Sequence, residues 1–386
     1  MKKLCYVATI PAVVHAFLRM HIQMAADDYH VTVVCSEVDK KLLDGIKANF
    51  IFLPIERKPS FLRDVLVLFQ LYNLFRREHF DIVHSIMPKT GMLAMLASWF
   101  AAVPVRIHMF TGQVWATKLG LARVFLKWSD KLIASLATCV LTDSRSQQDF
   151  LLQERILRAE KVNVIGAGSI CGVDPFKFHP DIGIRQKVRG DLGIDSESVV
   201  ILYVGRMCRE KGVLDLVAAF TEVVKRNPTA VLLLVGSEED VSYSYIQEIC
   251  HVDQGRLHYV SFTATPEIYM CASDILCLPS YREGFGMSII EAAACGLPAV
   301  ASRIYGITDA VADGETGLLF PAGDVSALTR SLMDLIMRTD RRQKMGGAAY
   351  ARTLELFSSE KITREMVILY NKLSEESCGT NDNAPT

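Results

Sequence analysis

The chain reads as an α/β protein built from two Rossmann-like domains. Short apolar runs alternate with amphipathic stretches through both halves, the pattern of parallel strands joined by crossover helices. A length of 386 residues suits two domains that each bury a core. The periodicity breaks over GVDPFKFHPDIGIRQ, Gly172 to Gln186, where Pro, Gly and charge take over. The expected domains are therefore residues 1–178 and 179–358, followed by a helix over 359–377 and a polar, disordered tail over 378–386.

In the first half, strands are expected at Lys2 to Ile10, His30 to Ser36, Phe50 to Ile55 and Asp81 to Ile86, with LRDVLVLFQLYNLFRREH as a helix. The run Gly91 to Val103 is apolar on nearly every side, but its 13 residues stop at Pro104. A spanning helix needs roughly 20, so this is a buried crossover helix. From Lys118 to Ala137, Lys118, Arg123, Lys127 and Lys131 interleave with Leu121, Val124, Phe125, Trp128 and Leu132. Two readings stand: a helix lying at an anionic bilayer, or a surface helix packing its apolar stripe on the sheet.

The second half opens with the strand VVILYV, followed by the loop VGRMCREKG, Val204 to Gly212. A strand and Gly loop lie at Leu232 to Asp240, and DILCLPS, Asp274 to Ser280, is a further strand. A helix beginning near Met287 leads to a Gly stop and a short strand within Ala292 to Ser302. Gly306, Gly314 and Gly317 punctuate the segment to Asp324 as turn makers.

The balance of 42 basic against 43 acidic residues leaves a net charge of −1, which excludes bulk attraction to nucleic acid. Ten cysteines lie mostly in apolar segments without paired metal spacing and read as reduced core thiols. Met1 to Ile10 reads directly as a strand and not as a leader, so a cytoplasmic location is expected.

Chemistry concentrates at EGFGMSIIE, where Glu283 and Glu291 stand eight positions apart. The first is on a glycine-bounded turn and the second is inside the helix that begins near Met287. The free N–H groups at that helix start face whatever Glu283 faces, an arrangement that holds phosphate groups. Both acids fall at the carboxyl edge of a parallel sheet, where open α/β sheets bind ligands. Arg206 and Lys211 can reach one anionic group from the loop after VVILYV, a planar fork and a point charge suited to a diphosphate. Two solvated loop cations would give the same spacing.

With these motifs the chain resembles the retaining, nucleotide-sugar-dependent glycosyltransferases of family 4, whose signature is a Glu, seven residues, then Glu. It is similar in particular to bacterial capsular polysaccharide and O-antigen transferases. The resemblance covers most of the chain and is strongest from Val204 to Asp324. It implies a GT-B fold, two Rossmann-like domains facing a central cleft, with the closing helix crossing back to the first domain. It assigns catalysis to Glu283, Arg206 and Lys211, and donor binding to Gly205, Arg206, Lys211, Phe262, Gly284, Phe285, Gly286, Met287, Ser288 and Glu291. In this reading Glu283 lies by the transferred sugar, Glu291 accepts from the ribose hydroxyls, and the two cations neutralise the diphosphate without a metal or other cofactor.

Acceptor handling falls to His15, His84, Lys89, His108 and Thr111. The sequence departs from the family in two places. Thr111 stands where a His commonly precedes the Gly, with His108 three residues earlier. Pro11 and Ala12 replace the glycines often found in the first loop. The implied reaction moves a hexosyl or N-acetylhexosaminyl group from a nucleoside-diphosphate sugar, UDP-linked, to a polyprenyl-diphosphate-linked glycan at the inner face of the cytoplasmic membrane. A nucleotide-sugar 2-epimerase of the same architecture and a non-catalytic subunit are the alternatives.

Overall fold

The structure, a computed structural model, describes residues 1–37, 39–56 and 60–381. It divides into two compact units, one formed by Met1–Gly172 with the closing helix Ser359–Asn381, the other by Val173–Ser358. The division falls ahead of the expected position at 178 because Val173 N–H donates to the Phe357 carbonyl at 2.8 Å, which ties the linker to the second unit. Phe178 is buried there too. The closing helix runs on past Ser377 into the expected tail, whose residues 382–386 lie outside the described residues.

Among the described residues the first unit holds seven strands: β1 (Lys2–Val7), β2 (Tyr29–Cys35), β3 (Asn49–Phe52), β4 (Ile82–Ile86), β5 (Val105–Phe110), β6 (Cys139–Thr142) and β7 (Val162–Val164). Their order is β3-β2-β1-β4-β5-β6-β7 and every pairing is parallel. Three strands are added to the four expected from sequence. In β5 the polar Arg106 and His108 interrupt the apolar run, and β6 and β7 are too short to show a period. Helix Pro88–Phe100 is the buried crossover expected from its composition, with Leu93, Ala94, Met95 and Ala97 in the core.

The second unit holds β8 (Val199–Val204), β9 (Ala230–Val235), β10 (Leu257–Val260), β11 (Ile275–Leu278), β12 (Ala299–Ser302) and β13 (Gly317–Phe320). These form an all-parallel sheet in the order β10-β9-β8-β11-β12-β13. Strands buried on both faces read as continuous Val, Leu and Ile runs, as β8 and β9 do. The start of β11 is pinned electrostatically. Asp274 accepts from Arg185 at 2.7 Å, from Arg189 at 2.6 Å and from the Val200 N–H at 2.7 Å.

The closing helix is held to the first unit by polar groups as well as apolar ones. The Tyr370 hydroxyl is 2.9 Å from that of Tyr6 and 2.7 Å from His84 Nδ1, all three side chains being fully buried. Tyr29 donates to Asn371 at 2.6 Å beside them. Replacing Tyr370 by Phe keeps the ring but strands two buried polar partners, a loss of roughly 1–3 kcal/mol. Tyr370→Phe should therefore lower the urea midpoint of the first unit's transition, and an unchanged midpoint would show that the hydroxyl bridge carries no net stability.

Candidate active site

Because all strands of the second unit point one way, the loops after β8, β9, β11 and β12 gather at one edge. Their backbones are joined directly. Gly205 N–H donates to Val235 O at 3.0 Å, Met207 N–H to Ser237 O at 2.8 Å, and Tyr281 N–H to Glu210 O at 2.9 Å. Such approach requires missing side chains, as Gly212 and Gly306 show. Gly212 has φ of 70°, and a Cβ there would stand 2.0 Å from the Pro279 carbonyl oxygen. Gly306 has φ of 84°, and a Cβ there would stand 2.4 Å from the Gly284 carbonyl oxygen.

This nesting brings Lys211 and Glu283 together. Lys211 Nζ is 2.5 Å from Glu283 Oε1, and both side chains are largely buried. The same carboxylate oxygen accepts from the Ser280 hydroxyl at 2.8 Å. Alongside, Arg282 grips Glu210 through a two-pronged contact of 2.8 and 2.7 Å. Arg206, whose carbonyl accepts from Tyr203 at 2.6 Å, turns its half-exposed guanidinium to Glu239 and not to Glu283. Ser280, Glu210, Arg282 and Glu239 carried no signal in the sequence, since their partners are 3, 72, 72 and 33 positions away in no fixed pattern.

Helix Met287–Ala294 starts at Gly286 without a side-chain cap, as a phosphate-facing helix start would. Phe285 is buried against Phe357 at 5.2 Å, so it shapes the turn and offers no side-chain surface to a ligand. Met287 and Ser288 are half-buried, whereas Phe262, just past β10, is 78% exposed. Glu291 is half-buried one turn into the helix. Burial pushes its carboxyl up to about 7, with Lys177 opposing that shift and Glu267 adding to it.

The first-unit candidates fare differently. His84 and His108 are fully buried core residues, and both are held neutral, pushed down to about 3 by burial. His84 bonds Tyr370 and His108 Nδ1 lies 2.9 Å from the Ser85 hydroxyl. Both therefore lie in the core and not at the open strand end and loop expected for acceptor handling, and the buried Nε2 of each has no hydrogen-bond partner among the described residues. Lys89 pairs with Asp64 at 2.7 Å in a partly buried bridge, tying helix Pro88–Phe100 to helix Phe61–Glu78. Exposed His15, with Nδ1 3.0 Å from Leu42 O, and half-buried Thr111, past β5, remain open to solvent.

The basic segment forms helix Gly120–Leu136, but its apolar stripe faces outward. Leu121, Phe125 and Trp128 are 87%, 67% and 59% exposed. The inward side mixes apolar and polar groups: Ile133 and Ala134 pack into the core, Trp115 Nε1 donates to buried Asp130 at 2.7 Å, and Arg123 and Lys127 both pair with Glu154 while lying over the Trp115 ring. Phe61, Leu62 and Phe69 of helix Phe61–Glu78 are also exposed. Among the described residues no helix is long and apolar enough to cross a membrane, and no group of three or more His, Cys, Asp or Glu is placed to hold a metal ion.

Glu291 makes the second unit's stability depend on pH. An acid raised in the folded state contributes stability below its ordinary value near 4.5 that is lost as pH rises through about 7. The slope is at most about 1.4 kcal/mol per pH unit. Glu291→Gln should flatten the fall in unfolding free energy across that window and leave the variant the more stable protein at pH 8. A wild-type profile already flat there would show Glu291 to be ionised throughout.

The profile of the Glycosyl transferases group 1 family matches residues 184–352, and that of the Glycosyl transferase 4-like domain matches residues 13–168. The chain is 28% identical over 329 residues to the capsular polysaccharide biosynthesis glycosyltransferase CapM of Staphylococcus aureus, covering 85% of this chain and 86% of CapM. It is likewise 28% identical over 319 residues to the Escherichia coli UDP-Gal:alpha-D-GlcNAc-diphosphoundecaprenol alpha-1,3-galactosyltransferase, covering 80% of each. The crystal structure of Anabaena HepE with UDP and glucose superposes with a TM-score of 0.80 at 20% identity, over 96% of this chain and all of that one, a likeness of fold. With both halves matched to glycosyltransferase families and both sheets arranged as in GT-B structures, the chain belongs to glycosyltransferase family 4 and is an enzyme of the glycosyltransferase class.

Proposed function

We propose that the enzyme transfers a sugar from a nucleoside diphosphate, UDP-linked, to a polyprenyl-diphosphate-linked glycan in surface polysaccharide biosynthesis, with retention at the anomeric carbon. The observation that carries this is the buried Lys211–Glu283 pair within the glycine-nested loops, beside the uncapped start of helix Met287–Ala294. An incoming diphosphate competes for Lys211 and Arg206, drawing them from Glu283 and Glu239. Their charge then stabilises the leaving diphosphate, the electrostatic part of catalysis. Released from Lys211, Glu283 is free to accept from the donor sugar, and Glu291 from the ribose diol. With the cations supplied by side chains, we propose that transfer proceeds without a divalent metal or other cofactor. The Escherichia coli relative, named for a UDP-linked donor and a diphosphoundecaprenol acceptor, supports the choice of both substrates.

The decisive experiment is a screen of radiolabelled nucleotide sugars against polyprenyl-diphosphate glycans, with and without EDTA. Product that forms only with acceptor present, and persists in EDTA, supports the reading. Conversion of the donor alone would point to an epimerase instead. Lys211→Ala and Arg206→Ala should each lower kcat by about a hundredfold, the scale of losing one charge-stabilising donor. Normal turnover in both would remove the clamp from the mechanism.

A lipid-linked acceptor presents its reactive end at the bilayer, so we propose peripheral association with the cytoplasmic face of the membrane. The exposed Leu121, Phe125 and Trp128 supply an apolar face, flanked by exposed Lys118 and Lys131. Each large side chain buried in lipid contributes roughly 1.5–3 kcal/mol. Changing all three to Gln should release the protein from anionic vesicles while sparing transfer to a short water-soluble acceptor. Unchanged sedimentation with vesicles would exclude this face.

A further inference from the structure

A recess of about 430 Å³ opens in the first unit where helix Gly120–Leu136 ends and the chain approaches β6 and β7. Crossover helices return from the carboxyl edge of a parallel sheet to its amino edge, so this recess lies at the edge opposite the one where open α/β sheets take their ligands. Four cations line it: Lys131 from the helix, and Arg155, Arg158 and Lys161 from the connection into β7. Its lining includes no carboxylate, and its floor is apolar, with Val140 and Ile156.

The charge balance here is unlike that one and two turns earlier on the same helix. Arg123 and Lys127 are both committed to Glu154, whereas among the described residues none of the four recess cations forms an ion pair. Lys161 Nζ donates to the Ala137 carbonyl at 3.2 Å, at the negative end of the helix. Lys131, Arg155 and Arg158 are exposed at the rim. Arg155 also sits at φ of 57°, just after helix Arg145–Gln153, a left-handed position that usually falls to Gly or Asn. Like charges gathered around one recess repel each other unless a counter-charge enters it.

We infer that this recess binds a phosphate-bearing ligand, at a site separate from the sugar-transfer chemistry and not dependent on that reading. Two guanidinium forks and two ammonium groups match the oxygens of a phosphate mono- or diester or a diphosphate. The apolar floor accepts the carbon stem that carries it. The phosphate is supplied either by a free phosphorylated compound or by an anionic lipid headgroup.

The test uses the full chain and a double variant, Arg155→Gln and Arg158→Gln, which leaves Lys131, a flank of the proposed membrane face, in place. A control, Lys187→Gln and Arg226→Gln, removes the same charge from exposed positions elsewhere. Lys161 is left in place because it caps the helix. Inorganic pyrophosphate binding is measured by calorimetry with Arg206→Ala and Lys211→Ala present in every protein, the reference included, so that the diphosphate clamp of the second unit does not contribute; co-sedimentation is measured with vesicles of phosphatidylcholine with and without phosphatidylglycerol. The recess variant should bind at least about tenfold more weakly, the scale of two charges lost beside an anionic partner, while the control stays near wild type. Loss in the pyrophosphate arm identifies a free phosphate compound as the ligand, and loss only with phosphatidylglycerol vesicles identifies a lipid headgroup. Equal responses of the two variants, or no binding of either probe by wild type, would overturn the proposal.

Discussion

Backbone contact between loops is the constraint on which the second unit's site depends. Where Gly212 meets Pro279 and Gly306 meets Gly284, there is no room for a Cβ, and the loops after β8, β11 and β12 close on one another. Lys211 is placed by the first of these contacts and Glu283 by the second. Two adjacent residues of one loop, Glu210 and Lys211, then face two adjacent residues of another, Arg282 and Glu283, with the signs reversed. Only one register satisfies both pairs, so the ion pairs fix loop position as much as they add stability.

The two units use buried polarity for different ends. In the first, His84, His108, Tyr6 and Tyr370 are neutral and bonded to one another or to Ser85, and they hold a distant helix to the sheet. In the second, the buried polar groups at the loop edge are charged and paired across loops, an arrangement that a charged ligand can exchange. Neutral groups in an apolar core specify packing, whereas paired charges near solvent remain available for recognition.

Local patterns made part of this legible. The spacing of Glu283 and Glu291 around a helix start, and of Arg206 and Lys211 after a strand, lies within short segments whose conformation the residues themselves dictate. The partners do not. Glu283 meets Lys211 across 72 positions, and nothing in either segment names the other. The burial of His84 and His108 was not legible, because a polar residue in an apolar strand is equally compatible with a ligand contact and with a place in the core. Which face of helix Gly120–Leu136 turns inward was likewise invisible, because apolar residues lie on both sides, and the side that packs carries Ile133 and Ala134 together with the contacts of Asp130, Arg123 and Lys127 to Trp115 and Glu154.

The closing helix carries a consequence for synthesis. The first unit occupies the amino-terminal part of the chain, yet Tyr370 and Asn371 complete its packing. On the ribosome the sheet of β1 to β7 emerges early and must wait while the whole of Val173–Ser358 is made, at about 5–20 residues per second. The second unit can finish folding first, from a continuous stretch of chain. Until the helix from Ser359 onward has emerged, the hydroxyl of Tyr6 and the imidazole of His84 lack their partner, and the nascent first unit is the one that chaperones would meet half-built.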